Sequence, residues 1–284
     1  MILVLQLQIA LLLGWISYLL VMFCLGSMTS VQYVNDYPLV QIAALISSFA
    51  MGYHVLKAFR AVDYKVFAYY LMHDFAFSAK LKGANSPELD VRLREFALKI
   101  SDACEEDYDE VLVVGHSSGV HLAVSVLAQV RQQIGASKLA FLSLGHVVPM
   151  VSFLPNAKDL RRDLNYLSQQ ENIAWIDVTA PGDGCSFALC DPVAVSSVAP
   201  QSKAWPLVFS AAFSQSLSAQ KWRRLKRRYF RIHFQYLCAF DQPKDYDYFQ
   251  ITAGPLSLKD RYRGRAASKS RSETPINRHT SMSK

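Results

Sequence analysis

The chain has 284 residues, a length that admits one catalytic domain plus an appendage. Its 51% hydrophobic content and mean hydropathy of +0.12 are high for a soluble enzyme. Five cysteines (Cys24, Cys104, Cys185, Cys190 and Cys238), odd in number and irregularly spaced, argue for a reducing compartment and against a disulfide-built fold.

The apolar excess sits at the front. Residues 1–35 and 37–56 contain no Asp, Glu, Lys or Arg, and only Asp36 stands between them. As a helix, each stretch is long enough to cross about 30 Å of hydrocarbon. A cleaved signal peptide would need a basic start, which is absent. The prediction is a two-helix transmembrane hairpin over residues 1–58, turned by a polar loop at 26–38. Gln6, Gln8, Gln41 and His54 weaken the spans, and a buried helical layer of a soluble protein is the competing reading. Lys57, Arg60 and Lys65 follow the second span and the loop carries no basic residue, so the positive-inside bias places the C-terminal part in the cytoplasm.

Residues 59–80, aromatic-rich with scattered charge, read as a helix against a membrane surface or a globular domain. A helix opens at Asn85-Ser86-Pro87, with Ser86 as N-cap and Pro87 at the first helical position. The apolar run Val111-Leu112-Val113-Val114 then leads into Gly115-His116-Ser117-Ser118-Gly119 and a helical stretch over 120–130 that stops near Gly135. A serine between glycines on a strand-to-helix turn is a nucleophile elbow: the glycines avoid collision with neighbouring backbone, and the helix N-terminus favours developing negative charge. An ordinary Gly/Ser turn is the alternative.

Further strands are predicted at 139–144 and 173–178, with a charged amphipathic helix at 157–169 between them. The alternation implies a parallel sheet with crossover helices, whose reactive groups gather at the carboxyl ends of the strands. Residues 180–204 read as a loop, and the apolar stretch 205–220 as a core helix, a lid or a membrane-contacting segment. Residues 230–236 alternate as a half-buried strand would.

A serine hydroxyl needs a base, and the base a carboxylate to orient it; in this architecture the chain order is Ser, acid, His. Asp183, in Ala180-Pro181-Gly182-Asp183-Gly184, fits the acid role, with Asp177 and Asp191 as rivals. His233 fits the base, with His146 in reserve, while His279 lies in the tail. His116 and His121 read as supporting or packing residues, and His54 and His73 as structural. The Ser118 N–H is the expected oxyanion donor. Cys185 and Cys190 form no zinc pattern, so no metal or cofactor is expected.

Lys221, Arg223, Arg224, Lys226, Arg227, Arg228 and Arg231 form a dense run of one sign. Anionic lipid headgroups would attract it at about 1 kcal/mol per basic residue; a solvated helix face is the plain alternative. No nucleic-acid motif accompanies the charge, so no nucleic-acid partner is expected. Residues 258–284, basic, Ser-rich and poor in large apolar residues, are expected to be disordered.

The elbow and the ordered Ser117, Asp183 and His233 resemble the α/β-hydrolase superfamily. More narrowly, residues 113–123, 175–183 and 233–249 resemble bacterial membrane-associated hydrolases that carry a helical hairpin, a likeness that covers about residues 1–265. The resemblance implies an α/β fold, an α/β-hydrolase-like parallel sheet with flanking helices over residues 59–257, in a bacterial inner membrane. It also implies a serine esterase, lipase or thioesterase acting on an acyl ester. One departure stands out: several strands and a second oxyanion loop normally precede the elbow, and residues 1–110 show neither. A strand and loop ahead of the first span, or a substitute within 80–86, would supply them. A hydrolase-like scaffold without activity, binding lipid or a membrane partner, is the alternative function.

Overall fold

The computed structural model describes residues 2–28, 38–65, 67–133 and 138–283. Most of the predicted 26–38 loop and the helix stop at Gly135 lie outside the described residues. Two compact units are present, residues 1–73 and residues 74–284.

In the first unit, α1 (Ile2–Met28) and α2 (Pro38–Ala61) pack along a seam of small residues. Ala10 and Ala44 are buried, Ser17 Oγ and Ser47 Oγ lie 2.8 Å apart, and a Cβ on Gly14 would sit 3.0 Å from the Ser48 carbonyl oxygen. Small residues let two helices approach closely without a large apolar core between them. The large apolar side chains point outward instead: Trp15, Phe23, Leu39 and Phe49 are all more than half exposed. Both helices are long and apolar enough to cross a membrane, and little of either is buried within the protein. The predicted helix over 59–80 is interrupted, since a 3₁₀ turn at Asp63–Lys65 separates α2 from α3 (Ala68–Lys80). Asp63 explains the break: its carboxylate accepts from the Tyr69 N–H at 3.0 Å and the Tyr70 N–H at 3.4 Å, capping the start of α3.

The second unit is mixed α/β. The elements in chain order are α4 (Pro87–Glu105), β1 (Val111–His116), α5 (Gly119–Gln133), β2 (Leu139–Leu144), α6 (Val148–Ser152), α7 (Lys158–Leu167) and β3 (Ala174–Thr179). They continue with α8 (Pro192–Val195), β4 (Leu207–Ser210), α9 (Phe213–Ser216), α10 (Ala219–Leu225), α11 (Tyr229–His233), α12 (Tyr248–Thr252) and α13 (Leu258–Arg261). Ser86 caps α4 through its side chain, with Pro87 next, as the sequence predicts. The four strands pair in sequential order, β1-β2-β3-β4, all parallel.

Alternation along the two central strands divides the core. Phe141 and Trp175 point into a cluster with α4, α5 and α7, including Leu93, Val124, Leu127 and Leu164. Ala140, Leu142, Leu144, Ile176 and Val178 point the other way, onto Phe213, Tyr236, Tyr246 and Tyr262 from the C-terminal elements. A strand covered on both faces reads as a continuous apolar run, which is why β2 and β3 are plain in the sequence.

Three expectations are corrected. Residues 205–220 are not one helix: Leu207–Ser210 is the fourth strand, followed by the short α9 and the start of α10. Residues 230–236 are not a strand. His233 ends α11 and a 3₁₀ turn, Phe234–Leu237, follows, so Ile232, His233, Gln235 and Tyr236 are buried together while Phe234 is exposed. The tail is not disordered. Ser268 N–H donates to the Val208 carbonyl on β4 (2.9 Å), Ser272 exchanges backbone bonds with Leu189 and Asp191, and Asn277 Nδ2 donates to the Ser152 carbonyl (2.9 Å). Arg161, fully buried, donates to the carbonyls of Ser152, Leu154, Pro155 and Ser281. The tail is thus fastened by hydrogen bonds, which its low apolar content does not reveal.

Candidate functional site

The site forms where β1, β2 and β3 end. Ser117 sits between β1 and α5 with φ +57°, a left-handed conformation that a non-glycine residue holds only under constraint from its surroundings. Its N–H donates to the Leu144 carbonyl at the end of β2 (2.9 Å), and the Val120 N–H returns to the Ser117 carbonyl (3.2 Å). Gly115 gives the turn room, since a Cβ there would stand 3.0 Å from Val120 Cα and force it to shift by a few tenths of an ångström. Gly119 differs from the expectation: a Cβ there would meet nothing within 4 Å, so collision explains only the first glycine of the elbow. Ser118 stands at the amino end of α5, with its N–H free of any hydrogen bond among the described residues.

Asp183 follows β3 in a loop and is buried. Its Oδ2 accepts from His233 Nδ1 at 2.7 Å and from the Tyr236 hydroxyl at 3.1 Å, while Oδ1 accepts from the Cys185 N–H at 3.0 Å. Burial works to raise its pKa, but the His233 hydrogen bond and charge and the Cys185 N–H outweigh it and hold the carboxyl below its ordinary range. A carboxylate only accepts, so Nδ1 carries a proton, and in the neutral form of His233 the lone pair lies on Nε2. That Nε2 is buried and makes no hydrogen bond, to Ser117 or to any other described residue. Burial keeps the Tyr236 phenol protonated far above neutrality, and its own carbonyl accepts from the Tyr246 hydroxyl (2.7 Å).

His233 is held against the residue that precedes Ser117. His116 Nε2 donates to the His233 carbonyl (2.8 Å), with the two ring centroids 4.6 Å apart. Gly145, next after the residue that accepts the Ser117 N–H, would put a Cβ 3.3 Å from His233 Cε1. Burial, then the charge of His233, lowers the His116 pKa, so His116 is a neutral donor that fixes the backbone of His233.

The rivals have other work. Asp177, inside β3, accepts from Ser143 Oγ (2.6 Å), and burial pushes its pKa up to about 6. Asp191 caps α8 and pairs with Lys203. Both ring nitrogens of His146 are engaged, Nε2 donating to the Cys190 carbonyl (2.9 Å) and Nδ1 accepting from the Val148 N–H (3.4 Å), which removes it as a base. His121 is buried in α5, and burial lowers its pKa to about 4. A cleft of about 740 Å³ bounded by Phe77, Leu81, Ala84, Leu89, His121 and Val151 touches that helix, but Ser117, Asp183 and His233 do not line it. Chemistry rather than cavity size therefore locates the site.

Cys104, Cys185, Cys190 and Cys238 are free thiols, none fully buried; burial, then Asp183, pushes Cys185 up to about 11. Among the described residues, no group of three or more His, Cys, Asp or Glu side chains is placed to hold a metal ion. Sequence reasoning missed Tyr236 and Asp74. The first carries no motif; burial raises the pKa of the second while the Ser118 hydroxyl beside it pulls the other way. Comparison of the chain with known protein families, with curated proteins and with solved structures finds no match.

Proposed function

We propose that this chain is a membrane-anchored serine hydrolase of the α/β-hydrolase type that cleaves an acyl ester through Ser117, His233 and Asp183. The observation that carries the reading is the buried Asp183–His233 pair: it leaves a basic Nε2 at the strand ends, where the adjoining serine is held at φ +57°. In the reaction, Ser117 Oγ attacks the ester carbonyl as Nε2 takes its proton. Asp183 steadies the imidazolium, and the Ser118 N–H receives the negative charge on the carbonyl oxygen. His233 then returns the proton to the leaving alcohol, and water, activated by the same nitrogen, releases the acid. The unmade Nε2 to Oγ contact accords with the mechanism, since such bonds commonly tighten only around substrate.

The anchor is α1 with α2. Large apolar side chains outside and small residues inside suit a lipid-facing pair better than the core of a soluble domain. Lys57, Arg60 and Lys65 support a cytoplasmic position for the catalytic unit.

The test is turnover of a p-nitrophenyl acyl ester by the detergent-solubilised chain and by its Ser117→Ala variant, with product analysis for acid release. Wild-type turnover abolished by the substitution supports the reading. A folded wild-type chain that turns over no ester or thioester favours the inactive scaffold, and transfer of the acyl group to an added alcohol instead of water identifies a transferase.

A further inference from the structure

We propose that the α10–α11 segment is a docking surface for an anionic bilayer, and that docking there bears directly on the Asp183 loop and His233. The proposal takes its bilayer from the membrane-anchored reading above and is independent of the hydrolytic chemistry. Six cations of this segment, Arg223, Arg224, Lys226, Arg227, Arg228 and Arg231, are exposed, and none makes an ion pair among the described residues. Elsewhere the exposed arginines Arg92 and Arg263 pair with Glu95 and Asp260, while Arg94 and Arg278 form no ion pair among the described residues; what sets this segment apart is six such cations within nine residues. Six like charges held together without counter-charge raise the local potential, and the favourable partner is a surface dense in anions.

The side chains between the cations narrow the choice. Tyr229 is 54% exposed and Phe234 40%, so aromatic rings stand in solvent beside the arginines. Cations with exposed aromatic neighbours match the boundary of headgroups and acyl chains, where the ring is half-buried and the charge stays wet. A tether to the same bilayer makes contact effectively intramolecular, so weak individual attractions suffice.

The same segment rests on the catalytic loop. The Trp222 ring lies 2.7 Å from where a Cβ on Gly182 would be, and the Tyr229 ring 3.3 Å from that on Gly184, so the two flanks of Asp183 are both covered by it. The residue that ends α11 is His233. A surface that holds α10 and α11 in place therefore holds the acid and the base of the site in place as well.

The experiment uses the full chain in nanodiscs, with trypsin cleavage over residues 223–231 followed by mass spectrometry. Discs with about 30% phosphatidylglycerol should slow cleavage at least ~10-fold relative to phosphatidylcholine discs, and about 0.5 M salt should abolish the protection. The triple variant Arg224→Gln, Arg227→Gln, Arg228→Gln should lose it too, since each basic residue contributes roughly fivefold to partition. Equal cleavage of the wild-type segment in the two kinds of disc overturns the proposal, as does protection that persists at the remaining basic sites of the triple variant. Protection by a polyuridylate strand in place of the anionic discs also overturns it and makes nucleic acid the partner. Fluorophosphonate labelling of Ser117 on the same discs keeps the two readings apart. Protection without labelling supports docking and defeats the hydrolase alone, while labelling with equal cleavage defeats docking alone. Where both hold, labelling should be several-fold faster in the anionic discs.

Discussion

Replacing Asp183 by Asn keeps the shape of the side chain and removes its charge, which isolates what the carboxylate does. Three donors converge on it: His233 Nδ1 and the Tyr236 hydroxyl on Oδ2, and the Cys185 N–H on Oδ1. An amide offers one accepting oxygen and an NH₂ that only donates. With its oxygen toward His233 and Tyr236 it satisfies two donors and opposes one; turned over, it satisfies only Cys185. The first orientation prevails, so His233 keeps its Nε2 lone pair but loses the charge that steadies the imidazolium. Where Asp→Asn also imposes the wrong tautomer, the loss in a serine protease is about 10⁴. Retaining the tautomer puts the loss here at roughly 10² to 10⁴ in the rate of fluorophosphonate labelling, or about 3 to 5 kcal/mol at 1.36 kcal/mol per tenfold. Adding Tyr236→Phe removes one of the two donors that fix the amide. The double variant should then fall a further ~10-fold as the amide turns and the His233 proton moves to Nε2, while Tyr236→Phe alone costs less than ~10-fold. The assay is the second-order labelling rate, with circular dichroism to confirm folding. A folded Asp183→Asn chain labelled within about threefold of wild type would refute the assignment of Asp183.

Three further outcomes follow from other parts of the fold. His121 has a pKa of about 4 in the fold against 6.5 unfolded. The unfolded chain therefore protonates first as pH falls, and the stability present above pH 6.5 is lost toward pH 4, by about 3 kcal/mol. The unfolding free energy of wild type relative to His121→Leu should fall by that amount between pH 7 and pH 4; a difference constant with pH contradicts the burial argument. Gly115→Ala, with its Cβ 3.0 Å from Val120 Cα, should cost about 1 to 3 kcal/mol and at least ~10-fold in labelling, whereas Gly119→Ala, facing open space, should leave both nearly unchanged. Arg161→Met strips the donors from four carbonyls and should cost roughly 2 to 4 kcal/mol. It should also speed trypsin cleavage at Arg278, already exposed but held in the fastened tail, so a tail that resists cleavage in the variant would count against Arg161 as its fastening.

The parts legible in the sequence are those set by local pattern. The elbow strand and helix, the two fully buried strands, the capped start of α4 and the two long apolar helices each declare themselves within a few residues. Asp183 and His233, chosen by chain order, a Gly-flanked loop and elimination, meet at 2.7 Å, so their pairing, though not a catalytic role, was legible. The conformation around His233 was not: Phe230, Ile232, Phe234 and Tyr236 alternate in sequence, yet Ile232 and Tyr236 are buried four residues apart on a helical turn, with Phe234 turned outward. Two-residue and four-residue spacing coincide in so short a run. β4 was hidden because four residues, Leu207–Ser210, carry little periodicity and lie between aromatic neighbours that suit a helix equally well. The tail was misread because Asn277 and Arg161 hold it from far away in the chain, and composition reports apolar burial but not such hydrogen bonds. Tyr236 belongs to the same class, since its role appears only when Asp183, 53 residues earlier, is placed beside it.

The central claim is that Ser117 is a nucleophile activated by His233. Treating the full chain with a fluorophosphonate, then mapping the adduct by peptide mass spectrometry, tests it most directly. The account predicts one phosphonyl group per chain, on the peptide that carries Ser117, absent from Ser117→Ala and slowed by several orders of magnitude in His233→Ala. A folded chain that takes no label, or takes it equally well on another residue once Ser117 is replaced, would contradict it.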